Sequence, residues 1–168
     1  MAATSFQAAL SFTLTAEGGY VDDPAGGPTN KGVTLDTLQS YQHGATVADL
    51  KALTDAMAGM IYHHDYWWPV KGDKLPVGID LSVFDMAVNA GVHASVVLLQ
   101  KILAVAEDGD VGPITIAAAT AADETWVVNE LAWYQLLYYQ ELADWDEFGD
   151  GWTNRTEARQ KAALSLIS

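Results

Sequence analysis

The sequence predicts a mostly α-helical domain, a helical bundle interrupted by one small Gly-rich loop or β-hairpin near residues 18–34. Three observations carry that expectation. Apolar residues recur at helical spacing through most of the chain. Strand signals are scarce. Turn residues concentrate in one place, with five glycines and two prolines in residues 18–34.

The elements follow in order. Phe6, Ala9, Leu10, Phe12, Thr13 and Ala16 recur at helical spacing, which predicts a helix from about Ser5 to Glu17. Gly18-Gly19 then stops it. Residues 18–34 carry turn chemistry suited to a short hairpin. Thr34 is placed to cap a helix over Leu35–Tyr41. Thr46 can cap a short helix through Leu53, and Thr54 or Asp55 another towards Tyr66. Residues 79–90 and 93–104 read as two buried helices. Pro113 suits the first turn of a helix through Ala122, where its missing N–H costs nothing. A long helix is expected over 124–143, and a last one from about Asn154 to Leu166. There is no repeat and no linker, so 168 residues make one domain. Within it, residues 1–92 are the expected catalytic part and 93–168 a C-terminal helical part.

Composition excludes several functions. The formal charge is −14, whereas nucleic-acid binding needs Lys and Arg to displace counterions from phosphates. The same charge disfavours an anionic membrane surface. There is no cysteine, so neither a disulfide framework nor a thiolate metal site can form. Glu107 to Asp150 holds eleven acidic residues and no Lys or Arg, which predicts a solvated surface. Residues 1–7 lack the basic start of a secretory signal. No apolar run is long enough to span a membrane. The expectation is a monomer made in the cytoplasm, reaching any external substrate by holin release or on a virion.

One motif carries chemistry. Glu17 closes a helix and two glycines follow it, leaving its carboxylate beside open space. The loop then returns Asp22, Asp23, Thr29, Asn30 and Thr34 towards the same region. Glycoside cleavage needs a carboxylic acid next to the scissile oxygen, and a second polar group to activate water or stabilise an oxocarbenium-like transition state. That acid must hold its proton near neutral pH, which burial against Phe12, Leu14 or Tyr20 would favour. From these residues alone, Glu17 is either that acid or a solvated helix-end Glu with Gly18 as its cap.

A resemblance separates the two. Glu17-Gly18-Gly19-Tyr20, Asp23-Pro24 and Gly26-Gly27-Pro28-Thr29-Asn30-Lys31-Gly32-Val33-Thr34 resemble the N-terminal signature of glycoside hydrolase family 108. That family comprises peptidoglycan-cleaving lysozymes, the N-acetylmuramidases. Tyr66-Trp67-Trp68-Pro69-Val70, Leu75-Pro76 and the run Asp80 to Gly91 are similar to its middle. Asp108-Gly109-Asp110-Val111-Gly112-Pro113-Ile114-Thr115 and Phe148 to Arg155 resemble its second half, a predicted peptidoglycan domain. The resemblance implies a lysozyme-like fold, a cofactor-free endolysin acting on bacterial peptidoglycan, and Glu17 as general acid. Family members commonly carry an extra Asp-Pro before the Gly-Gly of the loop, and this loop is two residues shorter. Asp22 or Asp23 must stand in for that Asp, or no second carboxylate is used. Thr29 is the candidate to orient water, with Thr34 its rival; Thr34 also reads as a helix cap.

Other residues take weaker roles. Asp85 and Asn89 share a helix face and are candidates for the cleft floor, or for internal hydrogen bonds. Trp67, Trp68 and Tyr20 can stack on sugar rings or fill the core. His63-His64-Asp65 lacks the spacing of a zinc motif, and Asp108–Gly112 lacks the length and terminal Glu of a calcium loop, so no metal is expected. The competing function is a catalytically inactive wall-binding or assembly protein on the same scaffold. A third is an enzyme of chitin or chitosan, whose cationic form suits an acidic protein.

Overall fold

A computed structural model of the chain describes residues 2–168, with side chains from Ser5 onward. Met1, where the leader expectation begins, lies outside the described residues. Helix α1 spans Ala2–Glu17. Strands β1 (Val21–Asp23), β2 (Gly27–Asn30) and β3 (Val33–Thr34) form an antiparallel sheet in the order β1-β2-β3. Helices α2 (Leu35–Tyr41), α3 (Val47–Lys51) and α4 (Asp55–Tyr62) follow. Then come α5 (Ile79–Ala90), α6 (Val92–Ile102), α7 (Pro113–Ala121), α8 (Glu124–Gln140) and α9 (Trp145–Ile167).

Local chemistry sets most boundaries. The Thr34, Thr46 and Thr54 hydroxyls accept the Thr37, Asp49 and Met57 amides. Each satisfies one of the amides that a helix start leaves unpaired. Pro113 opens α7. α4 gives way at its end to one π-helical turn, His63–Trp67. That turn sends Trp67 into the core and leaves Trp68 exposed.

The core gathers on α5, whose residues Ile79 to Ala87 are all buried. A helix buried all round must be covered on every side, and α5 touches α1, α6, α8 and α9. Phe6, Tyr62, Trp67 and Phe84 meet there in edge-on and tilted pairs.

One boundary departs clearly from the sequence expectation. α9 begins at Trp145 and not near Asn154, although Gly149 and Gly151 lower its helix propensity. Tertiary packing overrides the glycines. The Trp145 ring lies where a Cβ on Gly149 would sit, and Trp152 packs on Tyr139 of α8 with ring centroids 5.1 Å apart. Gly149 makes room for the Trp145 ring within α9, and Trp152 holds the helix against α8.

Candidate active site

Glu17 sits on the last turn of α1. The next residue, Gly18, is left-handed (φ 75°) and donates to the Leu14 carbonyl, ending the helix. A Cβ on Gly18 or Gly19 would meet nothing within 4 Å. The two glycines leave the space beside the carboxylate open.

The group that touches the carboxylate is a guanidinium. Arg155, on α9, donates from Nη1 to Glu17 Oε1 at 2.6 Å. The same guanidinium donates to Asp85 through Nη2 at 2.9 Å and Nε at 3.3 Å. Thr13 Oγ1 donates to Asp85 Oδ1 at 2.9 Å. Asp85 is 1% exposed. A carboxylate buried that deeply needs a cation and several donors, and here it has both. Burial by itself would lower the Arg155 pKa. Asp85 and Glu17 outweigh it and hold the group above its ordinary value, so Arg155 stays charged.

The turn between β2 and β3 covers the other side of Glu17. Lys31 (φ 52°) and Gly32 (φ 75°) are both left-handed, as a two-residue hairpin turn requires. A Cβ on Gly32 would lie 2.2 Å from the Tyr62 hydroxyl, 2.9 Å from Glu17 Cγ and 3.0 Å from Glu17 Oε2. Only glycine lets this backbone pass so close. Tyr62 Oη donates to the Lys31 carbonyl at 2.8 Å and holds the turn down. Burial first, then the nearby Glu17 charge, pushes the Tyr62 phenol up, so it remains a donor. Asn30 anchors the sheet from below, donating to the Leu50 carbonyl at 2.9 Å.

Strand pairing sorts the loop candidates. Thr29 pairs with both Val21 and Thr34, and Asp23 with Gly27. Paired residues of neighbouring strands share a face, so Asp23, Thr29 and Thr34 lie on one side of the sheet. Asp22 lies on the other side, with buried Asn30 and Val33. Asp22 and Asp23 are both exposed. Asp23 Oδ1 accepts the Ala25 amide at 2.8 Å, which closes the shortened turn. Thr34 Oγ1 is engaged with Thr37 as the α2 cap.

The remaining candidates divide. Asp85 is not on an open cleft floor; it is buried and holds Arg155. Asn89 is half-buried and donates to Tyr139 Oη at 2.8 Å. Trp67 is buried against Phe6 and Phe84, donates to Asp73 at 2.9 Å and offers no face to a sugar. Tyr20 is half-buried, with Lys51 Nζ 4.8 Å from its ring centre. A cleft of about 930 Å³ runs along α1 and α4 past Phe6, Leu10 and Met60, and Glu17 does not line it. Among the described residues no group of His, Asp or Glu is placed to hold a metal. No helix there is long and apolar enough to cross a membrane.

Sequence reasoning missed Arg155, Gly32 and Tyr62. A signal for the first was present. Arg155 and Arg159 are the only arginines in a chain of charge −14, and they stand four apart, on one helix face. Arg159 is fully buried beside them and donates to Gln135.

A mostly helical domain that brings a helix-end Glu and a small hairpin together defines the lysozyme-like class of glycoside hydrolases. The particular family follows from comparison with known proteins. Residues 10–91 match the model "Glycosyl hydrolase 108", and residues 94–157 match "Predicted Peptidoglycan domain". The chain is 37% identical to a solved structure described as Brucella abortus SagA, over 97% of this chain and 95% of that one, with a TM-score of 0.87. No curated protein matches. The chain belongs to glycosyl hydrolase family 108 and is a peptidoglycan hydrolase of lysozyme-like fold.

Proposed function

We propose that the protein is a muramidase of the endolysin type, hydrolysing the β-1,4 bond between N-acetylmuramic acid and N-acetylglucosamine, with Glu17 as general acid. The observation that carries this reading is the setting of Glu17. One oxygen, Oε1, is fixed by Arg155, while Oε2 has no hydrogen-bond partner among the described residues and faces the Gly32 backbone. Oε2 is then the atom that delivers a proton to the glycosidic oxygen. A charge-assisted bond of this kind fixes orientation as well as distance, and orientation is what proton transfer to a leaving group requires.

Arg155 is a positioning residue in this scheme. Asp85 occupies its other edge, so the guanidinium is shared between two carboxylates. Water attacks from the sheet side, oriented by Thr29, with Asp23 on the same face as the available carboxylate. The C-terminal part, residues 93–168, supplies Arg155 to a site otherwise built by residues 1–92, so the two parts work as one catalytic domain.

The test is muropeptide release from purified peptidoglycan, with product analysis by mass spectrometry. The parent protein is expected to leave reducing N-acetylmuramic acid ends. Glu17→Gln is expected to keep its melting temperature and release nothing. Release by that variant would sink the assignment of the acid; ends on N-acetylglucosamine would sink the bond assignment. A parent that binds peptidoglycan but releases nothing would favour the wall-binding alternative.

A further inference from the structure

We propose a second peptidoglycan-binding site, remote from Glu17, that anchors an acidic amino sugar (an N-acetylmuramoyl peptide) between Trp68 and the start of α7. This inference rests on the peptidoglycan reading above. The site is a cleft of about 320 Å³ lined on one side by Trp68, Lys71 and Lys74 and on the other by Val111, Pro113 and Ile116. That volume lies at the low end of small-molecule clefts, roughly 300–1,000 Å³.

The walls are fixed. Gly72 lies so close under Trp67 that a Cβ there would overlap the indole at 2.4 Å. Trp67 in turn donates to Asp73, which ties down the turn carrying both lysines. Lys71 is itself left-handed (φ 55°), an uncommon conformation for a residue with a side chain. The opposite wall hangs on buried Gln100. Its amide nitrogen donates to Asp108 at 2.7 Å and to the Asp110 carbonyl at 2.9 Å, and its oxygen accepts the Gly109 amide at 2.9 Å. The acidic turn Asp108–Gly112 is thus built around one glutamine.

The chemistry of the lining points to the ligand. Trp68 is 62% exposed, a costly position for an indole in a soluble protein unless something covers it. Its flat apolar face suits the C–H face of a pyranose. Lys71 Nζ lies 5.0 Å from the Trp68 ring centre. Neither Lys71 nor Lys74 has an ion-pair partner among the described residues. The chain has 22 acidic residues and eight cationic side chains; two of those eight line one cleft, with Asp73 between them already held by the Trp67 indole. A ligand with a sugar face and carboxylates fits, and muramoyl peptides carry both. The cleft also lies on the seam of the two family matches, with Trp68 to Lys74 in the first and Val111 to Ile116 in the second.

The site cannot hold the scissile bond. Phe6, which packs on Trp67, is eleven residues before Glu17 on α1, or roughly 16 Å along the helix axis. The cleft is an anchor for the wall polymer and takes no part in bond cleavage.

The test uses Glu17→Gln protein, which leaves the polymer intact, in sedimentation with purified peptidoglycan and in calorimetric titration with N-acetylmuramoyl dipeptide. Adding Trp68→Ala, or the pair Lys71→Glu and Lys74→Glu, is expected to weaken retention by about fivefold or more. Salt is expected to weaken binding of the single variant more than binding of the lysine pair. Full retention by both variants, with melting unchanged, overturns the proposal. An affinity for chitotetraose equal to that for the muramoyl dipeptide, insensitive to the lysine pair, overturns the acidic-ligand class. The two readings fail separately. A parent that releases no muropeptides overturns the hydrolase reading. A parent that releases them while both variants keep full retention overturns only the anchor.

Discussion

Arg155 lies 138 positions after Glu17 and donates to its carboxylate at 2.6 Å. The contact joins the last helix to the first across the matched segments, and Asp85 of the central helix is its third member. The triad makes positional demands that no single pair would make. Arg155 must reach two carboxylates at once, and a planar fork of donors can do so where an ammonium cannot. Arg155→Lys is therefore expected to fold, to keep KM, and to lower kcat by up to ~100-fold, because one carboxylate loses its orientation. Arg155→Met is expected to cost about 3–5 kcal/mol of stability, since it strands a buried Asp85. Steady-state kinetics and thermal melting check both. A purely structural role would leave kcat of the folded Lys variant unchanged.

Gly32 is required by geometry, and its replacement separates backbone from chemistry. Gly32→Ala places a methyl in a left-handed turn against the Tyr62 hydroxyl and the Glu17 side chain. The expected cost is about 1–3 kcal/mol of stability, with a larger loss of activity as Glu17 is displaced. Adding Tyr62→Phe removes the nearest clash and should recover part of the stability. A double variant no more stable than the single one would refute this account of the contact.

Thr29 and Asp23 share a sheet face, and substitution ranks them. Thr29→Ala is expected to lower kcat by ~10²–10³ without a change in melting, the range for losing an oriented water in acid–base catalysis. Asp23→Asn keeps the turn-closing acceptor at Oδ1 and loses only charge. If Asp23 supplies the second carboxylate, that variant falls as far as Thr29→Ala does. If Thr29 alone orients water, Asp23→Asn keeps most of the activity. Equal, full activity of both variants would exclude the sheet face from the reaction.

Asp80 gives a pH signature in stability. It is buried at the start of α5, where its carboxylate accepts the Gly78 and Leu81 amides and the Ser5 hydroxyl. Burial raises its pKa above 3.8, against the lowering effect of those three donors. The folded state therefore binds the proton more tightly than the unfolded chain. The stabilisation is fully present below 3.8 and is lost as pH rises through the folded value. Asp80→Asn has no such proton. The melting-temperature difference, variant minus parent, is expected to grow more positive as pH rises above 3.8 and then level off. A difference that shrinks over that window would mean the carboxylate is favoured in its charged form.

Much of the helix map was legible because its causes are local. Thr34, Thr46 and Thr54 cap the helices that follow them as capping chemistry predicts, and Pro113 opens α7. The five glycines of residues 18–34 announced the irregular corner. The start of α9 was not legible, since Gly149 and Gly151 argue locally against a helix that Trp145 and Trp152 stabilise by packing. Trp67 and Trp68 were interchangeable in the sequence, and the π-helical turn before them decided which one enters the core.

The candidate site divides along the same line. Glu17 with its two glycines is a local pattern, and the resemblance along the chain is what raised the expectation that it acts as the acid. Arg155, Gly32 and Tyr62 became part of the site only through contacts that span tens to more than a hundred residues. A helix cap or a two-residue turn is fixed by neighbours within a few positions. A guanidinium shared by Glu17 and Asp85 depends on how three helices pack, and no spacing along the chain encodes that packing.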